Sequence, residues 1–316
     1  GALSPVEGID PPGGDVLPGG VRVAINQLAA DVAFQVGIEP TDIVEATFVG
    51  NPIMHHILLG IDPTPLGAAP FVLATDEATS GEAIELDIKL PNARFYVGPC
   101  IAGHVGADTA GAILSEGPHR GTEMQLLIDV GTNAEIVLGD NTRQFAASSP
   151  TGPAFEGAQL SCGQRATAGA IEKVRIDRTT LEPRFKVIGI EQWSDEQGFA
   201  EAAEETPITG VCGSGIIEVI AEMYLSGIIS QDGVIQGSLV GATPRIIGDD
   251  RTFSYVIYEH GDIRLLITQN DIRAIQLAKA ALRAGIDLLV EHAGSPQVTD
   301  IRLAGAFGAH IDPTYA

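Results

Sequence analysis

Between Leu126 and Leu138 the chain reads Leu126-Leu127-Ile128-Asp129-Val130-Gly131-Thr132-Asn133-Ala134-Glu135-Ile136-Val137-Leu138, two apolar arms joined by a short polar turn. That pattern demands a hairpin with buried arms, and therefore a sheet covered by other elements. Asp129 stands at the end of the first arm. Gly131 lets a ligand come close to the backbone, while Thr132 and Asn133 offer side-chain donors beside the turn amides. Amides converging on a short turn make an anion cradle, here suited to a metal-bound phosphate. The same residues also suit an ordinary hairpin in which Asp129 caps a turn, so the rest of the chain must decide.

Composition sets the bounds. The 316 residues are 45% hydrophobic and 19% charged, enough to bury one large core or two moderate ones, which predicts a two-lobed α/β protein. With 41 acidic against 18 basic residues the formal net charge is -23, so nucleic acid and anionic membranes are disfavoured as partners. Cys100, Cys162 and Cys212 are widely spaced, which argues against a disulfide framework, a zinc site or a cluster-binding loop and for a reducing, cytoplasmic setting. No apolar stretch is long enough to cross a bilayer. The start, Gly1-Ala2-Leu3-Ser4-Pro5, is neither a signal peptide nor a methionine start, which leads to the expectation of a piece cut from a longer chain.

Along the chain, residues 1–20 are rich in Gly and Pro and read as a linker. Ile25, Leu28, Val32 and Val36 predict an amphipathic helix stopped by Gly37. Ile43 to Val49 predicts a strand, Met54 to Leu58 a short helix, and Ala83 to Leu90 and Arg94 to Val97 two further strands. A segment of small residues, 103–114, reads as a closely packed helix. Strands at 125–130, 134–138 and 143–147 form a meander, and helices with mixed sheets follow. Cys212-Gly213-Ser214-Gly215 leads into a helix with Ile216, Ile217, Ile220 and Tyr224 on one side. Thr268-Gln269-Asn270-Asp271 has capping-box spacing before a long helix carrying Ile272, Ile275, Leu282, Ile286 and Leu289. A last buried strand, 300–304, runs into a Gly305-Ala306-Phe307-Gly308 turn.

That order, with a small-residue helix, an Asp-containing hairpin, a glycine-led helix and a strand ending in glycines, resembles the actin, sugar kinase and heat-shock chaperone superfamily. The resemblance implies two ribonuclease-H-like lobes closing on ATP, a first lobe over 21–120 and a second over 121–316. Neither a Walker lysine loop nor a Gly-x-Gly-x-x-Gly turn is present. Within the superfamily, Val49-Gly50-Asn51-Pro52-Ile53-Met54-His55-His56, the loop Pro150-Thr151-Gly152-Pro153-Ala154-Phe155-Glu156-Gly157-Ala158, Gly169-Ala170-Ile171-Glu172 and Gln276-Leu277-Ala278-Lys279 resemble the reductive activators of corrinoid proteins. Membership would imply ATP-dependent reduction of a partner's cobalt from Co(II) to Co(I). In that family a [2Fe-2S] domain supplies the electron; this sequence lacks its cysteines. It also lacks the family's first phosphate motif, since Gly8-Ile9-Asp10-Pro11-Pro12 cannot be a central strand, so the first lobe is expected to be incomplete.

The resemblance assigns Asp129 to orienting Mg²⁺ through water, Gly131, Thr132 and Asn133 to phosphate, and Gly305, Ala306, Phe307 and Gly308 to the adenosine. Asp108, Gly213 and Gly215 become hinge or cleft candidates. Pro150, Thr151, Gly152, Pro153, Phe155 and Glu156 become candidates for touching the corrinoid protein, and a homodimer fits the family. His55 and His56 read as capping or core residues, because adjacent helical side chains point different ways. Two other functions stay open: a small-molecule kinase, which needs a general base beside an acceptor hydroxyl, and a non-catalytic dimerisation and docking module.

Overall fold

Ile25, Ala29 and Ala33 lie at helical spacing, and burial of that stripe anchors the first helix. The computed structural model describes residues 16–248 and 251–315. In it the helix, α1 (Val16–Val36), begins inside the stretch read as a linker; residues 1–15 lie outside the described ones. The chain divides into two compact units, one holding the chain up to Leu126 with Val137–Ser148 and Val298–Asp300, the other holding Leu127–Ile136, Ser149–Gln297 and Ile301–Ala316.

The first unit continues with β1 (Glu45–Phe48), α2 (Pro52–Leu59), β2 (Thr79–Glu82), β3 (Arg94–Val97) and α3 (Ala107–Glu116). Its sheet has the order β1-β3-β2, parallel between β1 and β3 and antiparallel between β2 and β3. Leu58, Ile88, Leu90, Phe95 and Val97 form its core, with Ile25 and Ala29 of α1 packed on them. Asn26 ties the helix to the sheet side by accepting from the Lys89 amide at 2.6 Å and donating to the Asp87 carbonyl at 3.0 Å.

Two expectations change here. Ala83–Leu86 is a 3₁₀ turn rather than the start of a strand, and it ends at Asp87 with φ 55. Ala83 and Leu86 are buried by turning inward while Ile84 is exposed, so a dense apolar run did not mean an extended one. The helix expected at 103–114 starts only at Ala107, because Ala102 and Val105 pair in a tight bridge first.

The histidines of α2 are core residues as expected, but their side chains meet rather than point apart. His55 and His56 are both buried, and their Nδ1 atoms are 3.4 Å apart. His56 Nε2 accepts from the Ala74 amide at 3.0 Å. Neutral His56 therefore carries its proton on Nδ1 and gives it to His55, whose Nε2 has no hydrogen-bond partner among the described residues.

The following strands are β4 (Gln125–Val130), β5 (Ala134–Gly139) and β6 (Gln144–Ser149), which lie in one sheet with β13 (Asp300–Ala304) in the order β13-β4-β5-β6. Around this sheet the chain adds β7 (Ala170–Ile176), β8 (Pro183–Val187), α4 (Phe199–Glu205), β9 (Gly210–Val211) and α5 (Gly213–Leu225). Then come β10 (Ile246–Gly248), β11 (Phe253–His260), β12 (Ile263–Thr268), α6 (Gln269–His292) and, after β13, α7 (Gly305–Gly308). Two three-stranded sheets, β8-β7-β9 and β10-β11-β12, complete the second unit. Leu127, Ile136 and Leu138 are fully buried, as the run of apolar residues in a covered sheet requires.

The cap of α6 forms as its spacing predicts. The Thr268 hydroxyl accepts from the Asp271 amide and the Asp271 carboxylate accepts from the Thr268 amide at 2.8 Å. The same carboxylate accepts from the Ser161 amide at 2.8 Å, which pins a distant loop to the helix start.

Candidate functional site

The hairpin turn between β4 and β5 carries Gly131, Thr132 and Asn133, with the last two exposed. Asp129, on β4, is half-buried and makes interactions of its own. Its carboxylate lies directly against the α-carbon of Gly305, where β13 gives way to α7. A β-carbon on Gly305 would overlap Asp129 Oδ1 and lie 3.0 Å from Cγ. Gly305 also has φ +84, a conformation that L side chains rarely adopt. Two segments separated by 175 residues in sequence thus meet at one carboxylate, counted from 129 to 305 less one. The Gly305-to-Gly308 segment is a single helical turn rather than an open turn. Gly308 is buried. The side chains of Ala306 and Phe307 lie outside the described ones.

A second contact to the hairpin comes from the loop after β6. The Thr151 hydroxyl donates to the Gly131 carbonyl at 2.9 Å, and the Gly152 amide donates to the Thr132 carbonyl at 2.8 Å. The Thr132 hydroxyl donates to Glu156 Oε1 at 2.8 Å. Carbonyls that would repel a phosphate are thereby tied away from the tip. Pro153 to Glu156 form a 3₁₀ turn, and Phe155 is buried, so this loop is braced against the hairpin. That brace has no signature along the chain, because residues 19 to 24 apart have no periodic relation.

Gly213 and Gly215 open α5 and are buried. A β-carbon on Gly215 would collide with the Ile171 carbonyl and come within 2.9 Å of Val211 Cγ1. The glycine is what lets α5 cross β7 in close contact. Asp108 belongs to the first unit, where its Oδ1 accepts from the Thr109 amide at 2.8 Å in the first turn of α3. Glu135 is half-buried and makes interactions of its own.

The buried face of α5 is not the isoleucine stripe that spacing suggests. Ile216, Val219 and Met223 are buried, and with them Glu218 and Glu222, while Tyr224 is exposed. Glu218 Oε2 accepts from the Val174 amide at 2.8 Å and pairs with Arg175 at 2.6 Å. Glu222 accepts from the Ile176 amide at 3.0 Å and from the Tyr315 hydroxyl at 2.7 Å. The Arg175 guanidinium stacks 4.5 Å over the Tyr315 ring. The segment that follows α7 is thus fastened to α5. Acidic residues four apart on an otherwise apolar helix were the only available signal.

A cavity of about 620 Å³ lies between α5 and α6, lined by Ile217, Ile220, Ile275, Leu282, Val130 and Leu303 among others. Successive residues of a strand face opposite sides, so Val130 places this cavity on the face of β4 away from Asp129. Cys162 and Cys212 are not assigned to the site; burial pushes the Cys162 thiol up to about 12. Among the described residues no group of three or more His, Cys, Asp or Glu side chains could hold a metal ion.

Residues 123–316 match a family described as the C-terminal domain of RACo, the ASKHA domain, and residues 9–121 match the RACo middle region. The chain belongs to the RACo family. Its second half therefore has the actin-like ATPase fold of the ASKHA class, in an α/β protein. The corrinoid activation enzyme RamQ of Eubacterium limosum is 36% identical over 305 residues, covering 92% of this chain and 48% of the relative. The [Co(II) methylated amine-specific corrinoid protein] reductase of Methanosarcina barkeri is 26% identical over 235 residues, covering 71% of this chain and 39% of that protein. A solved structure described as a reductive activator for corrinoid, iron-sulfur protein superposes with TM-score 0.79 at 30% identity, covering 95% of this chain and 46% of that one. The chain thus spans about half the length, or less, of the relatives it matches. No helix among the described residues is long and apolar enough to cross a membrane.

Proposed function

We propose that this chain is the nucleotide-binding part of a reductive activator, in which ATP binding and hydrolysis enable reduction of a corrinoid protein's cobalt from Co(II) to Co(I). The observation that carries the reading is the meeting of Asp129 with Gly305. It brings the phosphate hairpin and the glycine turn of an ASKHA domain to one point, so closely that a β-carbon on Gly305 would overlap the carboxylate. The names of the relatives supply the corrinoid protein as partner.

Asp129, Thr132 and Asn133 fit a magnesium-bound phosphate, and Gly305 and Gly308 fit close backbone approach to the nucleoside. Magnesium, when bound, would neutralise the charge that phosphate oxygens develop during transfer to water. Asp129 holds an anionic oxygen at that point, able to orient the attacking water or the ion's water shell. Hydrolysis moves no electron. The single electron that Co(II) takes up must come from a one-electron donor outside this chain, of the iron-sulfur class in the family. The nucleotide contributes by binding two conformations unequally, which is the only way it can shift their populations. A net charge of -23 disfavours nucleic acid and anionic membranes as partners.

The test is calorimetric titration of Mg-ATP into this chain and into Asp129→Ala. Binding by the parent chain and loss in the variant support the reading; absence of binding in both overturns it for this chain. With nucleotide binding in hand, mixing with a Co(II) corrinoid protein and a low-potential reductant should raise the Co(I) absorbance only when ATP is hydrolysed.

A further inference from the structure

We propose that Glu156 is a positioning residue that makes the hairpin selective for magnesium-bound phosphate over bare phosphate, an inference that rests on the nucleotide reading above. By sequence alone, Glu156 belongs to a partner-facing loop and Thr132 to the phosphate turn. The structure turns the two toward each other: Thr132 Oγ1 donates to Glu156 Oε1 at 2.8 Å, and a β-carbon on Gly131 would lie 3.6 Å from the same oxygen. The carboxylate is exposed and held at the hairpin tip by the ties from Thr151 and Gly152 to the carbonyls of Gly131 and Thr132.

The consequence follows from proton counting. A threonine hydroxyl has one proton and two lone pairs. With its proton committed to Glu156, Thr132 presents only lone pairs to anything else that approaches. The tip then offers a hydroxyl oxygen and a carboxylate, with the Asp129 carboxylate at the base of the same turn. Such a set repels a bare triphosphate and welcomes a hard divalent cation or its coordinated waters. The ion is what reconciles a carboxylate at the tip with a phosphate on the same turn. Glu156 acts through Thr132 and through its charge, not by touching the reacting atoms.

The experiment compares dissociation constants for ATP with excess Mg²⁺ and for ATP with EDTA, by calorimetry, in the parent chain, Glu156→Gln and Glu156→Asp, with melting curves of each. The parent chain should favour the magnesium form. Glu156→Gln should shrink that preference by about tenfold, chiefly because metal-free ATP binds more tightly once the negative charge is gone. Glu156→Asp, which keeps the charge, should keep the preference. An unchanged preference in Glu156→Gln overturns the proposal, as does an equal weakening of both forms accompanied by a lower melting temperature, the signature of a merely structural brace. Absence of binding of either form to the parent chain overturns the nucleotide reading itself, and is thus distinguishable from failure of the Glu156 role.

Discussion

The α-carbon of Gly305 packs against the carboxylate of Asp129 with no space for a side chain between them. Substituting Gly305 by Ala forces Asp129 to move and places an alanine at φ +84. The positive φ alone costs about 1 kcal/mol, and displacement of a half-buried carboxylate adds to it. Gly305→Ala is therefore expected to lower stability by about 1–3 kcal/mol and to abolish Mg-ATP binding. Urea midpoints and calorimetric titration check the two effects separately; an alanine that retains full affinity would show that the contact does not shape the site.

The link between Tyr315 and Glu222 makes a second expectation. Tyr315→Phe removes one hydrogen bond to a buried carboxylate and should cost about 1–3 kcal/mol. Glu222→Gln disturbs the same bond, so the double variant should cost less than the sum of the singles by about 0.5–3 kcal/mol. A double-mutant cycle in urea measures that coupling, and an additive result would mean the pair does not act together.

Removing Glu218 should be more damaging. Glu218→Ala strands the Val174 amide and leaves Arg175 without its nearest anion, which is expected to cost about 3–5 kcal/mol. Part of the Arg175 charge is half-exposed and screened, so the lower end of that range is expected. Chemical denaturation of the variant checks the size.

The histidine pair sets a pH dependence. Burial and then the neighbouring His56 hold His55 below the usual 6.5. Below about pH 6.5 the unfolded chain binds a proton that folded His55 does not, so stability falls as pH drops from there toward the lowered folded value, and is flat above it. Protonation would also set two N–H groups against each other across the 3.4 Å Nδ1 contact. Urea midpoints across about pH 5 to 8 should show this slope, and His55→Leu should flatten it. An identical slope in the variant would assign the effect elsewhere.

Asp271 serves both the α6 cap and the Ser161 loop. Asp271→Ala should cost about 1–2 kcal/mol for the cap alone, with loss of the Ser161 tie adding to it. Hydrogen exchange should then rise both at the start of α6 and near Ser161; a rise confined to α6 would show that the loop does not depend on this carboxylate.

Periodicity fixed much of this protein before any coordinates. The apolar arms around Asp129 and the capping box at Thr268 are local patterns, because side-chain spacing along one element dictates which face it buries; the strand before Gly305 forms, but Asp300, Ile301 and Arg302 are exposed where a buried strand was expected. The β4-β5-β6 meander followed from those local patterns, whereas the place of β13 beside β4 did not. The reading failed where burial was achieved by other means. Ala83–Leu86 turns instead of extending, and α5 buries Glu218 and Glu222 because backbone amides of β7 and Arg175 satisfy them. The closeness of His55 and His56 depended on rotamers that the 55-to-56 step does not specify.

What the sequence determined by itself is therefore the set of elements and the chemistry each one carries: a carboxylate on a buried hairpin, glycines at a strand end, an amphipathic helix behind a cap. Only the tertiary structure decided which of these meet. Contact between Asp129 and Gly305, the turn of Thr132 toward Glu156, and the clasp of Tyr315 on Glu222 join residues 24 to 176 positions apart. Such distances exceed any repeat of helix or strand, so the chain's periodicity carries no information about them; packing of the sheet and its helices supplies it.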